Sequence, residues 1–226
     1  MEPLRMAQAA QMLTLQGEMN STVNPEWISA KYPFLRAVVV EVAEALDHYG
    51  WKWWKKEQPD LAQVQIELID ILHFILSHEL LQAEGDVRKA AESVVEKSNP
   101  TQYTIEFDGS AHLLDRNDPR TLLELLGGLA SVRRCEIGVL EACFDSLDMS
   151  WDDVTRQYIS KNVLNIFRQH NGYKSGTYIK TWMGKEDNVH LVELTSTLDP
   201  KQDSFAKDLY HALVKRYSEV NAEASS

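Results

Sequence analysis

Apolar residues recur along this chain at the three-to-four-residue spacing of helices, and strand-like alternation is scarce. The spacing predicts a first helix over about 7–19, stopped by the turn-rich run Asn20-Ser-Thr-Val-Asn-Pro25. Tyr32-Pro33 precedes a helix over 34–49 that ends near Gly50. Pro59 and Asp60 open another to about 83, with Gly85 beyond it, and a short helix follows through about 96. Residues 98–119 are expected as loop with one short extended piece at 103–107. Leucine-rich 121–147 is expected as one helix or, given Gly127-Gly128, two. Ser150, with Asp153 three residues on, looks like an N-cap for a helix to about His170 that ends at Gly172. Residues 173–190 are expected to be irregular. A last helix covers about 204–219, and the small polar tail 221–226 frays. No internal repeat, low-complexity tract or linker interrupts this pattern, so the expectation is one all-α domain, a helical bundle over residues 1–226.

Two acidic pairs stand out. Glu41 and Glu44, then Glu67 and Asp70, are each spaced i, i+3, so each pair shares one helix face. The connection between their helices is short, which makes the helices antiparallel neighbours and lets four carboxylates converge. The second pair lies in Gln65-Ile-Glu-Leu-Ile-Asp-Ile-Leu-His-Phe-Ile-Leu, apolar nearly all round and therefore buried. Ionised carboxylates there cost several kcal/mol unless something positive meets them. Lys and Arg are scarce on that helix, and oxygen-only ligands suit Mg²⁺, with Mn²⁺ able to substitute. The alternative is buried ion pairs to a basic segment elsewhere.

Such a segment exists. The 226-residue chain carries a formal net charge of −11, which argues against coating nucleic acid. Yet 154–185 holds Arg156, Lys161, Arg168, Lys174, Lys180 and Lys185 and no Asp or Glu. Within it Lys161, Asn165 and Arg168 fall at i, i+4, i+7 and form one polar stripe suited to phosphate oxygens. The loop 171–180 adds Lys174 and Lys180. A solvated basic face is the bland reading; a four-carboxylate site beside it favours phosphate binding.

Other features carry less. Trp51-Lys-Trp-Trp-Lys-Lys56, between the acidic helices, is either packing or a wall for a base or sugar. His73 and His78 are assigned to satisfied core or interface positions rather than to ligands. Cys135 and Cys143 would stand about 12 Å apart along one helix at ~1.5 Å per residue, too far for a disulfide. Both are expected in the core of a cytoplasmic protein. No stretch reaches the ~18 apolar residues of a membrane span, and the N-terminus lacks a signal peptide's layout. The chain has no Walker A run, no Gly-x-Gly-x-x-Gly, no His-Asp pair of the phosphohydrolase kind and no nucleophile elbow. Water activated by metal is the simplest mechanism left.

At these residues the chain resembles the dimeric dUTPases, a branch of the all-α NTP pyrophosphohydrolases that include the MazG-type enzymes. The acidic pairs match the superfamily's metal motif. The Trp-Lys-x-Trp-Lys run, Asp-Ile-x-His-Phe-Ile-Leu-Ser, Lys161-Asn-Val-Leu-Asn-Ile-Phe-Arg168 and the stretch Asn171 to Asn188 are more specific. Leu15-Gln-x-x-Met-Asn20 with Trp27 resembles that family's base-binding helix.

The resemblance implies a bundle of the pyrophosphohydrolase type and hydrolysis of dUTP, and of dUDP, to dUMP by a homodimer. It implies Glu41, Glu44, Glu67 and Asp70 as Mg²⁺ ligands, with Glu41 or Glu44 as the base. It implies Gln16 and Asn20 as readers of uracil and sugar with Trp53 nearby, and Lys161, Asn165, Arg168, Lys174 and Lys180 as phosphate ligands. In that family the region corresponding to 100–149 varies and often forms a mobile part. Two rival functions share much of this pattern: pyrophosphohydrolysis of another or modified dNTP such as dCTP, and a non-catalytic helical protein that binds through its acidic and basic faces.

Overall fold

The first helix, α1, runs Met6–Val23 and continues through the Asn20-Ser-Thr run expected to end it. Ser21 and Thr22 turn their hydroxyls back onto the carbonyls of Gly17 and Glu18, at 2.8 and 2.9 Å. Polar side chains that compete with a helix elsewhere are thereby satisfied inside this one. Gln16 and Asn20 consequently sit one turn apart, both buried. The computed structural model describes residues 2–98, 104–114, 118–199, 202 and 204–223.

After the single turn α2 (Trp27–Ala30), helices α3 (Phe34–Tyr49) and α4 (Leu61–Gln82) form the centre of the molecule. Asp60 caps α4 by accepting from the Gln63 N–H, and its own N–H donates to the His48 carbonyl at 2.9 Å. The end of α3 therefore meets the start of α4, and the two run antiparallel. Helix α4 is buried all round, from Val64 to Leu80, as its continuous apolar run demands. Helix α5 (Val87–Ser98) packs on α1 and α4.

Beyond α5 the structure departs from the expected loop. Strands β1 (Thr104–Phe107) and β2 (Ser110–Leu113) pair antiparallel, Thr104 opposite Leu113 and Phe107 opposite Ser110. The second strand was not expected; Tyr103, the expected start of the extended piece, lies outside the described residues. Helices α6 (Pro119–Ser131) and α7 (Ile137–Ser146) replace the leucine-rich stretch. The break falls at 132–136, where Arg133 adopts φ +66°, and not at Gly127-Gly128. Those glycines serve close packing instead. A Cβ on Gly127 would stand 3.1 Å from Val42 of α3, and one on Gly128 3.1 Å from Phe107 of β1.

Helix α8 (Trp151–His170) opens on the expected Ser150–Asp153 capping box. Its first half buries Trp151, Val154 and Tyr158 in the main core with α1, α3, α4, α6 and α7. Its second half buries Val163, Leu164 and Phe167 in a separate cluster with Trp182, Leu191, Phe205, Leu209, Leu213 and Tyr217. That cluster rests on the small pair β3 (Thr181–Trp182) and β4 (Lys185–Glu186), on α9 (Asp187–Thr195) and on α10 (Phe205–Glu223). Residues 173–190 are thus more regular than expected. The face that α9 buries carries Asp187, Asn188 and His190 beside Leu191, so no apolar stripe announces it. Residues 224–226 of the expected tail lie outside the described residues. The architecture is all-α with two minimal sheets. Among the described residues no helix is long and apolar enough to cross a membrane.

Candidate active site

On antiparallel α3 and α4 the two acidic pairs come together. Carboxylate oxygens of Glu41, Glu67 and Asp70 lie within 4.8 Å of one another. Glu44 stands one turn further along α3, exposed, and adds its charge to the field at Glu41 and Glu67. Burial, followed by the charge on Asp70, pushes the Glu67 carboxyl up to about 8. The same two causes, with Glu44 third, push Glu41 up to about 7. Crowded, buried carboxyl groups of this kind are stabilised in their charged form when a cation meets them.

The basic segment also reaches this cluster. Lys161, 3% exposed, donates to Asp70 Oδ2 at 2.7 Å and to Asn188 Oδ1 at 2.9 Å. His48 Nε2 lies 3.5 Å from Glu67. The ion pair considered as an alternative to metal therefore exists for Asp70. It does not complete the charge balance, because one buried ammonium faces three carboxyl groups. The all-oxygen donor set suits a hard divalent cation.

Arg168 is held more tightly than a free phosphate ligand would be. Its Nε and Nη2 donate to Asp187 Oδ2 and Oδ1, both at 2.8 Å, and Nη1 donates to Asn165 at 3.1 Å. Asp187 is fully buried, and the Tyr178 hydroxyl donates to it at 2.7 Å. Burial alone would raise the Asp187 carboxyl; the guanidinium outweighs it and holds the carboxyl below its usual value.

A cleft of about 320 Å³ opens between α1, α3, α4 and α8, and Gln16, Asn20, Glu41, Asp70, Asn165 and Arg168 all line it. Trp27, Tyr32, Phe34 and Phe74 give it apolar walls. At its base the amides are tied into a network. Tyr158 donates to Gln16 Oε1 at 2.6 Å, and Gln16 Nε2 donates to Asn20 Oδ1 at 3.0 Å and Ser77 Oγ at 2.8 Å. Asn20 Nδ2 donates once, to Ser77 at 3.1 Å, and keeps a second N–H.

Other expected site residues stay apart. Trp53 is 87% exposed, stacks edge-on against Trp54 at 4.6 Å, and does not line the cleft. Lys174 is exposed at the cleft's edge and donates to the Val23 carbonyl at 3.0 Å. Lys180 is exposed and pairs with Glu186 at 3.2 Å.

Sequence reasoning missed His73 as a group of the cleft. It is 5% exposed and stacked on Tyr158 at 4.1 Å, as a core histidine should be. It is not satisfied, however. Its Nδ1 lies 2.8 Å from the Ile69 carbonyl and must carry the proton, which leaves Nε2 a bare acceptor with no partner among the described residues. Burial brings its pKa down to about 4, so the ring is neutral. His73 lines the cleft, and no spacing in the sequence separates such a histidine from a packed one.

A family model described as dUTPase matches residues 8–173, which take in both acidic pairs and the Lys161–Arg168 stripe. No curated protein matches the chain.

Proposed function

Since the chain belongs to the dUTPase family, whose members hydrolyse dUTP with a divalent metal, we propose that its working ion is Mg²⁺, replaceable by Mn²⁺, and that it converts dUDP as well as dUTP to dUMP. The observation that carries this reading is a single cleft lined by carboxylates, a guanidinium and pre-oriented amides. The products of dUTP are then dUMP and pyrophosphate.

Glu41, Glu67 and Asp70, with Glu44 beside them, would hold the ion, which would supply neutralisation of phosphate charge and a more acidic water. Glu41 lines the cleft and Glu44 does not, which favours Glu41 as the group that takes the proton of the attacking water. Arg168, Asn165 and Lys161 bind the phosphates, with Lys174 and Lys180 able to reach them from the surface. Trp53 is exposed enough to cover a bound nucleoside only if its loop swings onto the cleft.

For the base, two free groups beside the Gln16 network are the second Asn20 N–H and His73 Nε2; Gln16 is consumed in orienting Asn20. A donor beside a bare acceptor fits a uracil carbonyl and its N3–H. Cytosine has an acceptor at N3 and would set two lone pairs against each other, a buried mismatch of the kind that discriminates strongly. This favours uracil over the dCTP alternative. The homodimer rests on the resemblance to the dimeric dUTPases, and a cytoplasmic location on two cysteines that stay free.

Product analysis tests the proposal. With Mg²⁺, dUTP should yield dUMP and pyrophosphate in equal amounts, and dUDP should yield dUMP and phosphate; a chelator should stop both. Turnover unaffected by chelator, or the absence of dUMP, would refute it.

A further inference from the structure

The guanidinium that lines the cleft, and the buried Lys161 beside Asp70, are held by residues that follow the family-model match and lie in the stretch 171–188 that resembles the dUTPases. That match ends at residue 173. Asp187 and Asn188 begin helix α9, which the second core cluster anchors through Leu191 against Trp182 and α10. A buried polar knot adds to the anchor: His190 meets the Trp182 carbonyl at 2.9 Å and Arg216 of α10 at 2.8 Å. From this support Asp187 takes the Nε/Nη2 edge of Arg168 in a fork at 2.8 Å on each arm. Asn188 Oδ1 accepts from Lys161 at 2.9 Å, and from Arg168 Nη2 at 3.4 Å.

A guanidinium has two edges on which a planar anion can bind side by side. With Nε and one Nη2 hydrogen taken by Asp187, the edge formed by Nη1 and Nη2 is the one left for a ligand. Among the described residues it is met only by the longer contacts to Asn165 and Asn188. An arginine on a long flexible side chain would otherwise lose rotamer freedom on binding phosphate. Asp187 is fully buried and is itself fixed by Tyr178, so that ordering is already done in the free protein.

We propose that Asp187 is a positioning residue for phosphate binding: it fixes the guanidinium of Arg168 so that the Nη1/Nη2 edge faces the cleft, and α9 serves as its support. This rests on the reading of Arg168 as a phosphate ligand. Asp187 touches no substrate; it acts through Arg168.

Asp187→Asn keeps the shape of the side chain but sets an NH₂ against an arginine N–H or the Tyr178 hydroxyl, and so breaks the fork. Affinity for inorganic pyrophosphate in Mg²⁺, measured by calorimetry, should fall about tenfold, and KM for dUTP should rise by a similar factor. Asp187→Glu should recover part of the loss. In an Arg168→Lys background, where no fork can form, adding Asp187→Asn should change pyrophosphate affinity less than about twofold. A merely structural role gives the opposite pattern: a lower Tm with wild-type pyrophosphate affinity in the folded protein, or the same fold-loss in both backgrounds. Either result overturns the proposal. If Asp187→Asn does not fold, Tyr178→Phe removes only the third hydrogen bond on Asp187. It should weaken pyrophosphate binding a few-fold, and unchanged binding there also overturns the proposal. Pyrophosphate binding needs neither base recognition nor turnover. Failure of the dUTPase reading appears instead as a wild-type protein that hydrolyses no nucleotide.

Discussion

Lys161 Nζ lies 2.7 Å from Asp70 Oδ2, with the lysine only 3% exposed. The contact joins the basic stripe of α8 to the acidic face of α4 and makes the two halves of the site depend on each other. A proposed phosphate ligand and a proposed metal ligand share this hydrogen bond, so substitutions on either side have consequences for stability as well as for binding.

Two metal-ligand variants should therefore diverge in stability while both lose turnover. Glu67→Gln removes a buried carboxyl from a crowded cluster and should raise the metal-free Tm near pH 8. Asp70→Asn leaves the Lys161 ammonium buried without the counter-charge it pairs with and should lower stability by about 3 kcal/mol. Near-wild-type kcat in either variant would remove that residue from the metal site.

The raised carboxyls also set a pH dependence. Glu41, at about 7, and Glu67, at about 8, bind protons more tightly in the folded chain than in the unfolded chain, where the value is about 4.5. Folding takes up protons through that window, so stability falls as pH rises toward 8. His73, held neutral by burial, opposes this only below its ordinary 6.5. Metal-free Tm should thus drop between about pH 7 and about pH 8, and saturating Mg²⁺ should remove the drop while releasing protons. A metal-free Tm that rises over that interval would contradict the acidic cluster as described.

Arg168→Ala should weaken triphosphate binding by ~2 kcal/mol and leave the preference among bases unchanged. It also strands a fully buried Asp187, at a stability cost of about 3 kcal/mol. Adding Asp187→Asn should restore much of the Tm without restoring phosphate affinity. A change of base preference with triphosphate affinity intact would instead assign Arg168 to the nucleoside pocket.

At the base end, Asn20→Ala should reduce dUTP turnover while Mg²⁺ and pyrophosphate binding persist. His73→Phe keeps a ring over Tyr158 but deletes the Nε2 acceptor, and it should narrow the gap between dUTP and dCTP. An unchanged dUTP-to-dCTP ratio in His73→Phe would exclude the histidine from base reading.

Much of this arrangement is legible in the sequence, for physical reasons that differ by element. Helices α3, α4 and α8 announce themselves through apolar spacing, the Asp60 and Ser150 caps and the Gly50 stop, and their bounds follow closely. The i, i+3 carboxylate pairs are visible because a helix turns that spacing into one face. Helix α9 is hidden because its buried residues include Asp187, Asn188 and His190, whose partners include Arg168, Lys161 and Arg216, 19 to 27 residues away in the sequence. For the same reason Arg168 looked like a free phosphate fork, when half of it is already engaged. His73 was hidden differently: its burial is legible, and the bare Nε2 is a matter of which neighbours fail to reach it.

This cleft is proposed to select deoxyuridine triphosphate for hydrolysis. The most direct measurement is kcat/KM of the wild-type protein for dUTP and dCTP, side by side, with Mg²⁺ and pyrophosphate detection. The geometry of Asn20 and His73 predicts a preference for dUTP of about 10² or more. Equal kcat/KM for the two nucleotides would contradict it.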